Sequence, residues 1–441
     1  MKASSATRLP FFYGWVVVAV TFVTMAIGVN ARTAFSLFFP PILTEFGWEQ
    51  GVTAGAFSFG FVVSAAVSPL IGRLMDRGGP RAVMELGIAL MGGGLLLAPL
   101  TREPWHLYVT IGVMVGAGSV CLGYSGFSLF LPNWFVRRRG LAIGVAFAGV
   151  GIGSVTLLPW VQHVIEVSGW RTACTAIGLM VLILLAPINL LLRKRPEDIG
   201  LRPDGEAAEL AMSAAPVSNI TIVDPVWAGI EWTLRRAVAT SRFWWLALGY
   251  FCFLYVWYAV QVHQTKFLLD IGFSPSVGVW ALGVVSLLGI PGQIVLGHAS
   301  DRIGREAIWA ISSLGFAICF ASLVALKYVP SLLLVYIMVF AQGALGYGLT
   351  SIMGAVVLEI FQGPHYGSIF GSIMLMALAG GAAGPWVTGL LHDWTGSYTT
   401  AFTIGIAVSF LSALAIWRAS PGKIRAVGGR LDKRLPKAGA P

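Results

Sequence analysis

Charge is what this sequence has least of. Only 11% of its 441 residues are Asp, Glu, Lys or Arg, whereas an average soluble domain contains about 25%. Hydrophobic residues make up 57% of the chain, and the mean hydropathy is +0.80. Since a water-facing surface needs more charge than this, the composition excludes an ordinary soluble domain and indicates that lipid surrounds most of the chain.

Cysteine is also scarce, and patterns typical of catalysis or metal binding are missing. The six histidines are scattered without the spacing of metal ligands, and the sequence contains no Walker phosphate loop. The cysteines fall inside apolar runs without a Cys-x-x-Cys pair, which predicts buried packing residues: Cys121, Cys174, Cys252 and Cys319. We therefore expect no metal, no cofactor and no enzymatic activity.

Long apolar runs dominate the chain instead. Runs of about 18 or more apolar residues predict membrane-spanning helices, because a helix satisfies its own backbone hydrogen bonds in lipid. Twelve such runs predict an all-α membrane protein, with starts near residues 13, 53, 83, 106, 140, 170, 243, 276, 307, 331, 366 and 397. Because the leader with Lys2 and Arg8 continues straight into the first run, that helix is expected to be an uncleaved anchor.

The net charge of +10 is distributed unevenly between the apolar runs. Cations cluster in alternate gaps and in the tail, at residues 73–81, 137–139, 193–195, 235–242, 302–305 and 418–437. By the positive-inside rule, this pattern predicts that the even-numbered loops and both termini are cytoplasmic. A topology signal accounts for the basic residues better than nucleic-acid binding does, and binding of phospholipid by the tail is the alternative.

Several patterns recur at a nearly constant offset and predict two related halves. Gly72-Arg-Leu-Met-Asp76-Arg77-Gly-Gly79 returns 225 positions later as Gly297-His-Ala-Ser-Asp301-Arg302-Ile-Gly304. The other pairs are Gly123-Tyr124 with Gly346-Tyr347, Gly140 and Gly144 with Gly367 and Gly371, and Pro159-Trp160 with Pro385-Trp386. The glycine-rich runs at 149–153 and 380–384 have no preceding strand and no following Lys-Ser/Thr, so they predict tight helix packing.

The predicted organisation has four parts. Residues 1–192 and 242–418 are expected to form six-helix bundles, residues 193–241 a cytoplasmic linker, and residues 419–441 a basic cytoplasmic tail. Within the linker, Trp227, Ile230 and Leu234 have the spacing of one apolar helix face. That segment is expected to lie along the membrane interface.

The first repeated pattern resembles a known loop motif. Gly72-x-Leu74-x-Asp76-Arg77-x-Gly79-x-Arg81 is similar to the motif between helices 2 and 3 of major facilitator transporters, and residues 297–305 resemble its second copy. The resemblance implies the major facilitator fold of twelve transmembrane helices in two pseudo-symmetric bundles, with Asp76 holding a cytoplasmic gate closed. The alternative is a simple turn with solvated charges. The gate residues expected are Gly72, Asp76, Arg77, Gly79, Arg81, Gly297, Asp301 and Arg302, together with Arg137, Arg138 and Arg139.

A narrower resemblance covers most of the chain. Its motifs are similar to those of monocarboxylate porters and bacterial oxalate:formate-exchanger relatives: Trp134-Phe135-Val136-Arg137-Arg138-Arg139-Gly140-Leu141-Ala142-x-Gly144, Phe12-Tyr13-Gly14-Trp15, Phe38-Phe39-Pro40-Pro41, Glu45-Phe46-Gly47-Trp48 and Gly169-Trp170-Arg171. The resemblance implies small organic anions as substrates. Ser286 and Ile290 replace the Asp/Arg pair of helix 8 in those porters, and residues 367–392 contain no lysine, so neither the substrate nor the coupling of those relatives transfers to this chain.

Ionisable residues inside the predicted spans are functional candidates, because they are costly in lipid. Away from the span ends these are the cations Arg32, His263 and Lys266, and no acid lies deep in a span, which favours an anionic substrate. Arg32 shares a helix face with Ser36 and Phe39, and its planar fork suits a carboxylate. We predict that Arg32 is the main carboxylate clamp, with Ser36 beside it. The alternative is that Arg32 extends to the outer headgroups.

Helix 7 supplies most of the remaining candidates. Trp257, Gln261 and Gln264 form a polar-aromatic stripe. His263 is either a proton-coupling group or a structural residue, and Lys266 either binds substrate or forms an outer funnel paired with Asp270. Tyr124 and Tyr347, at matching positions of the halves, either donate to a carboxylate or pack at an interface.

Together these patterns predict a secondary active transporter of small organic anions, mono- or dicarboxylates, in a bacterial-type inner membrane. Exchange with a counter-anion and proton-linked symport are both open, as are the two alternative functions: a multidrug, sugar or aromatic-acid carrier of the same superfamily, and a non-transporting sensor. The expected partners are the anion, protons or a counter-anion, and membrane lipids, with no nucleic acid.

Overall fold

The computed structural model describes residues 11–128, 130–135, 139–202, 220–363 and 365–427. Within these ranges eleven helices are long and apolar enough to cross a bilayer. Ala142–Asn189 has 48 residues, about twice the length that one crossing needs, and it breaks at Gly169, where φ is 82°. That helix therefore supplies two crossings, and the prediction of twelve spans is confirmed.

The spans are numbered in chain order. Span 1 is Gly14–Phe46, span 2 Gln50–Met75, span 3 Arg77–Leu100, span 4 Pro104–Leu122, spans 5 and 6 together Ala142–Asn189, span 7 Ser241–Asp270, span 8 Pro275–Ile303, span 9 Arg305–Leu326, span 10 Leu332–Ile360, span 11 Tyr366–Thr395 and span 12 Thr399–Lys423.

These spans and their connections contain the following secondary structure. The α-helical segments are Gly14–Thr33, Phe35–Phe46, Gln50–Leu97, Pro104–Leu107, Gly116–Leu122, Tyr124–Ser128, Arg139–Met180, Ala186–Asn189, Pro225–Ala228, Leu234–Val238, Ser241–Asp270, Pro275–Ile303, Arg305–Leu326, Leu332–Phe340, Met353–Ile360, Tyr366–Thr395 and Thr399–Ala419. Tyr108–Val115, Val181–Leu185 and Ala341–Leu345 are π-helical. Short 3₁₀ turns are Ala98–Leu100, Leu131–Asn133, Pro196–Ile199, Gly346–Ser351 and Pro421–Lys423.

The predicted span starts lie within six residues of the observed ones, and the largest difference is at span 3. Hydropathy predicts that start near residue 83, whereas span 3 begins at Arg77; its helical backbone is interrupted at Gly79, where φ is 71° and ψ is −178°, and resumes at the next residue. Pro80 follows at the first helical position, which proline favours because its missing N–H needs no partner there. The polar residues of the loop motif therefore belong to the helix ends rather than to a long loop.

Repeated glycine contacts hold corresponding helices together in the two halves. Span 5 packs on span 1, and span 11 packs on span 7, through glycines that face a main-chain carbonyl where a Cβ atom would overlap it. The pairs are Gly149 with Phe22, Gly153 with Ala26, Gly380 with Phe251, and Gly384 with Tyr255. The prediction of tight helix packing at these glycine-rich runs is confirmed, and the equivalent contacts make the internal repeat visible in three dimensions.

Internal contacts divide the chain into two units, Met1–Pro216 with Pro275–Gly283, and Val217–Ser274 with Val284–Pro441. The first unit has a core rich in phenylalanine, including the buried Phe35, Phe38, Phe39 and Phe61. In the second unit Trp309 packs on Tyr250 and Phe253, with ring centroids 4.9 and 6.0 Å apart. The four cysteines are buried and unbridged, as predicted.

The linker differs from its predicted form. Trp227 and Leu234 lie in two separate short helices, Pro225–Ala228 and Leu234–Val238, with non-helical backbone between them, so one continuous apolar face is wrong. The local sequence explains this, because Asp224 caps the first turn through the Trp227 N–H and Gly229 ends it. A two-stranded antiparallel sheet connects the linker to the segment after span 12: β1, Ile220–Ile222, pairs with β2, Arg425–Val427.

Candidate functional site

Arg32 lies inside the first unit, between spans 2 and 4. Its guanidinium carbon is 4.2 Å from the ring centre of Phe61 and 5.0 Å from that of Phe57, within the range of cation–π attraction. Its Nη1 donates a hydrogen bond of 2.8 Å to the Ser119 hydroxyl oxygen. The side chain is therefore fixed within the bundle, a geometry that does not fit an arginine extended to the headgroups.

Close packing of spans 2 and 4 positions these partners. A Cβ atom on Gly116 would lie 2.7 Å from the Cα atom of Gly60, so only glycine allows this approach. Ser64 Oγ donates to the Gly116 carbonyl across the same contact, at 2.9 Å. Ser36, predicted beside Arg32, is buried in the following helix. The arrangement presents a guanidinium among aromatic rings and hydroxyls, and such a group can bind a carboxylate through two parallel N–H donors.

Helix irregularities occur at the two repeated Gly-Tyr pairs. In span 4 the helix ends at Leu122, and Gly123 has φ −105° and ψ −168° before the chain turns again at Tyr124. In span 10 the π-helical Ala341–Leu345 is followed by the 3₁₀ turn Gly346–Ser351, which contains Tyr347. Departures from regular α-helix are frequent at functional sites, since they expose backbone groups and let a helix bend.

The two tyrosines have different surroundings. The Tyr347 ring stacks on that of Trp257, with centroids 3.8 Å apart and planes 13° apart, and Gly289 faces the tyrosine ring. Tyr124 is 45% exposed, and its ring meets Phe147 edge-on at 5.0 Å. The structure therefore places Tyr347 in a packed aromatic cluster with Trp257, whereas Tyr124 stands at the surface of its own unit.

His263 connects span 7 to span 11 and to Tyr398, the residue directly before span 12. Its Nε2 lies 2.8 Å from the Pro385 carbonyl oxygen of span 11, and its Nδ1 lies 3.3 Å from the Tyr398 hydroxyl. The carbonyl can only accept, so Nε2 bears the proton and Nδ1 is left to accept from the tyrosine. Because the side chain is fully buried and both ring nitrogens have partners, the geometry favours the structural interpretation of His263 over proton coupling.

Lys266 forms an ion pair with Asp270, one helical turn further along span 7. Both side chains are partly exposed. This is the pairing expected of an outer funnel, in which a lysine near the mouth of a carrier attracts anions over a distance.

Two buried amides on spans 7 and 10 stand out in the second unit. Gln264 and Gln342 are both completely buried. Neither the Nε2 nor the Oε1 of Gln264 has a hydrogen-bond partner in the described part of the chain, and the same holds for Gln342 Nε2. Gln342 Oε1 faces the Cys319 thiol at 3.9 Å. Leaving a buried polar atom unpaired costs about 1–3 kcal/mol, so the position of these amides needs a reason other than packing. Gln261, the other glutamine of the span 7 stripe, is buried as well.

The motifs at the starts of spans 1 and 5 meet at one end of the first unit. The Tyr13 hydroxyl donates to the Leu191 carbonyl at 2.9 Å, and Trp134 Nε1 donates to the Arg193 carbonyl at 3.2 Å. Arg81 Nε donates to the Leu192 carbonyl at 3.0 Å. These side chains donate to the carbonyls of residues 191–193, which directly follow the end of span 6 at Asn189.

A second pair of motifs meets at the opposite end of this unit. Glu45 accepts hydrogen bonds from Trp170 Nε1, at 2.7 Å, and from the Arg171 guanidinium. Arg171 Nε also donates to the Pro99 carbonyl at 3.0 Å. The motifs that carry the narrower family resemblance therefore tie helix ends together, while Arg32 and its partners lie between those ends. Sequence spacing gave no indication that Glu45 and Arg171 are partners.

The second copy of the loop motif lies within the described residues. Asp301 pairs with Arg305 Nη2 at 2.7 Å, and Arg305 Nε donates to Glu359 Oε1 at 3.0 Å. Glu359 is only 3% exposed and was not among the predicted site residues, because an acid at the end of an apolar run looks like a solvated helix end. Gly297 faces Ser351 of span 10, and Arg302 is exposed.

Less of the first copy can be described. Gly79 takes the positive φ that only glycine adopts without strain, Gly72 is half-buried and Arg77 is exposed. The side chains of Asp76 and Arg139, and the whole of Arg137 and Arg138, lie outside the described residues. The assignment of Asp76 as a gate therefore stays a prediction.

Comparison with known proteins defines the family. The sequence model of the Major Facilitator Superfamily matches residues 18–352 and 264–439. The chain belongs to this superfamily. Among curated relatives, monocarboxylate transporter 13 of Rattus norvegicus is 26% identical over 403 residues, covering 91% of this chain and 87% of the relative. Monocarboxylate transporter 12 of Homo sapiens is 27% identical over 429 residues, covering 91% and 80%.

Solved structures of the superfamily share the fold at low identity. A bacterial homologue of the human lysosomal transporter Spinster, inward-facing and unoccupied, matches with a TM-score of 0.63, 16% identity and coverage of 97% of this chain and 99% of that one. The nucleoside transporter NupG matches with a TM-score of 0.66 and 14% identity, covering 92% and 99%. The major facilitator chain is thus a multi-pass membrane transporter of small organic solutes and not an enzyme.

Proposed function

We propose that this major facilitator chain transports small organic anions, mono- or dicarboxylates, by alternating access. The observation that carries the proposal is Arg32, whose guanidinium is held inside the first unit over Phe57 and Phe61 and against Ser119. A cation within a transmembrane bundle marks a substrate or ion pathway, and a guanidinium matches a carboxylate better than any other side chain does. The names of the relatives, monocarboxylate transporters 12 and 13, support the same class.

The helix breaks at Gly123 and Gly346 support a substrate-binding region near these two glycines. In secondary transporters, interrupted helices at corresponding positions of two related halves point to the substrate site. The breaks at Gly123 and Gly346 occupy such positions, and Ser119, the hydrogen-bond partner of Arg32, lies one turn before the first of them. The distribution of basic residues supports a bacterial-type inner membrane with both termini in the cytoplasm.

Uptake into proteoliposomes tests the proposal. Radiolabelled formate, oxalate, lactate, pyruvate and an aromatic acid would be compared with a sugar and a cationic drug. We expect accumulation of at least one carboxylate and none of the neutral or cationic solutes. Uptake of the sugar or the drug alone would contradict the proposal, and absence of all transport in folded protein would favour a sensor. Loading the vesicles with counter-substrate, or imposing a pH gradient, separates exchange from proton-linked symport.

Arg32→Gln tests the clamp, and Arg32→Lys provides the matched control for charge. If Arg32 binds the carboxylate through its planar fork, Arg32→Gln should raise KM by about tenfold or more, whereas Arg32→Lys should recover only part of the loss. Wild-type affinity in Arg32→Gln would contradict this role.

A further inference from the structure

The second unit contains polar groups that an anion alone does not match. Gln264 is fully buried and neither polar atom of its amide is hydrogen-bonded to a described residue, and Gln342 Nε2 is in the same condition. The two amides therefore offer N–H donors from both residues and one carbonyl acceptor from Gln264. A carboxylate only accepts, so it would leave the Gln264 oxygen without a partner.

The two amides lie at a similar height in the bundle. Gln264 follows Trp257 by seven residues on the same face of span 7, which is a rise of about 10.5 Å. Span 10 runs in the opposite direction, so Gln342, five residues before Tyr347, lies on the same side of the Trp257–Tyr347 ring pair as Gln264 does. Span 9 contacts both the aromatic pair and one of the amides. Its Phe316 packs near Trp257, and its Cys319, one turn further along, faces Gln342.

The backbone around Gln342 is a second, independent pointer to a ligand. This residue lies inside the π-helical Ala341–Leu345, directly before the 3₁₀ turn of Gly346–Ser351. Such π segments inside helices occur frequently at functional sites. Trp257, which lies below the amides, is partly exposed, so this aromatic pair is not completely covered.

We propose that Gln264 and Gln342 form a second polar subsite, which binds a substrate group that both donates and accepts hydrogen bonds, such as a hydroxyl. This inference rests on the proposed transport of organic anions and narrows it to acids with a hydroxyl besides the carboxylate. The hydroxyl hydrogen bonds to the Gln264 carbonyl, and the hydroxyl oxygen accepts from the amide N–H groups. The aromatic pair Trp257 and Tyr347 bounds the subsite and suits acids with an apolar or aromatic body.

Matched acids that differ by one hydroxyl test the subsite in proteoliposomes. The pairs are glycolate with acetate, and mandelate with phenylacetate. The wild-type protein should take up the hydroxy acid of at least one pair with a kcat/KM about tenfold higher, since a lost hydrogen bond in a buried site leaves its partner unpaired. Gln264→Leu and Gln342→Leu should reduce that preference toward unity, mainly by slowing the hydroxy acid. Gln162→Leu is the control, because that amide is bonded to Glu166 at the surface of the first unit, and it should keep the preference.

The outcomes separate this inference from the proposed function. Equal uptake of both acids of each pair by the wild-type protein overturns the subsite, and so does a preference that survives in either folded glutamine variant. If the protein still takes up acetate or phenylacetate in these experiments, the proposed transport of organic anions holds even when the subsite is overturned. If the wild-type protein takes up no acid, the proposed function fails and the subsite fails with it. Should Gln264→Leu not fold, Gln342→Leu and the wild-type preference decide the question.

Discussion

Glu45 and Trp170 are separated by 125 residues in the chain, and their side chains meet in a hydrogen bond of 2.7 Å at one end of the first unit. Arg171 binds the same carboxylate and also donates to the end of span 3 through the Pro99 carbonyl. Glu45 and Arg171 together thus connect the ends of spans 1, 3 and 6. The cluster is only half-buried, so its contribution to stability is limited by solvent screening.

Neutralising this acid should weaken the cluster modestly. Glu45→Gln keeps an oxygen for Trp170 but removes the charge opposite Arg171, and we expect a loss of about 1 kcal/mol, seen as a lower melting temperature in detergent. Glu166→Gln is the matched control, since among the described residues Glu166 accepts from Gln162 alone, on an exposed helix face. Equal melting temperatures for the two variants would show that the cluster does not stabilise the unit.

Glycine contacts predict different effects on stability for two pairs of glycine-to-alanine variants. Gly153→Ala and Gly384→Ala place a methyl group against the facing carbonyl of Ala26 or Tyr255, and each should cost about 1–3 kcal/mol through overpacking. Gly144→Ala and Gly371→Ala are matched controls in the same spans, because nothing lies within 4 Å of their Cβ positions. Those controls should be neutral or stabilise by up to about 1 kcal/mol, since alanine favours helix. Thermal melting of all four variants tests the contrast, which a uniform shift would contradict.

The twelve spans could be predicted from the long apolar runs and the repeat, because the hydropathy and the small residues of a span are properties of consecutive residues in the sequence. Partnerships between distant residues were not predictable in this way. Nothing near Glu359 in the sequence shows that Arg305, 54 residues earlier, lies beside it, and His263 has the same neighbours in sequence whether its ring is solvated or bonded to Pro385. Arg32 could be identified as a candidate because a cation in a span is costly, but the rings that hold it come from another helix.

His263 should be required for stability and not for proton coupling. His263→Gln keeps one donor and one acceptor but cannot place them as the ring does, so the melting temperature should fall through the loss of the bonds to Pro385 and Tyr398. The ratio of uptake with and without an imposed pH gradient should stay at its wild-type value. A variant that retains substrate exchange but loses the response to the gradient would contradict the structural role.

Arg305 binds two acids of very different exposure, so losing the buried pair and losing the exposed pair should have different costs in stability. Glu359 is buried, so Arg305→Ala takes the guanidinium away from an acid inside the second unit and should cost about 3–5 kcal/mol. Asp301 has a side chain that is 63% exposed, so Asp301→Asn, which breaks only the outer pair, should cost less than about 1 kcal/mol. Combining Arg305→Ala with Glu359→Gln removes the buried charge and should restore part of the lost stability. Melting temperatures of the three proteins decide the matter: equal losses from Arg305→Ala and Asp301→Asn would mean that the buried pair contributes nothing beyond the exposed one.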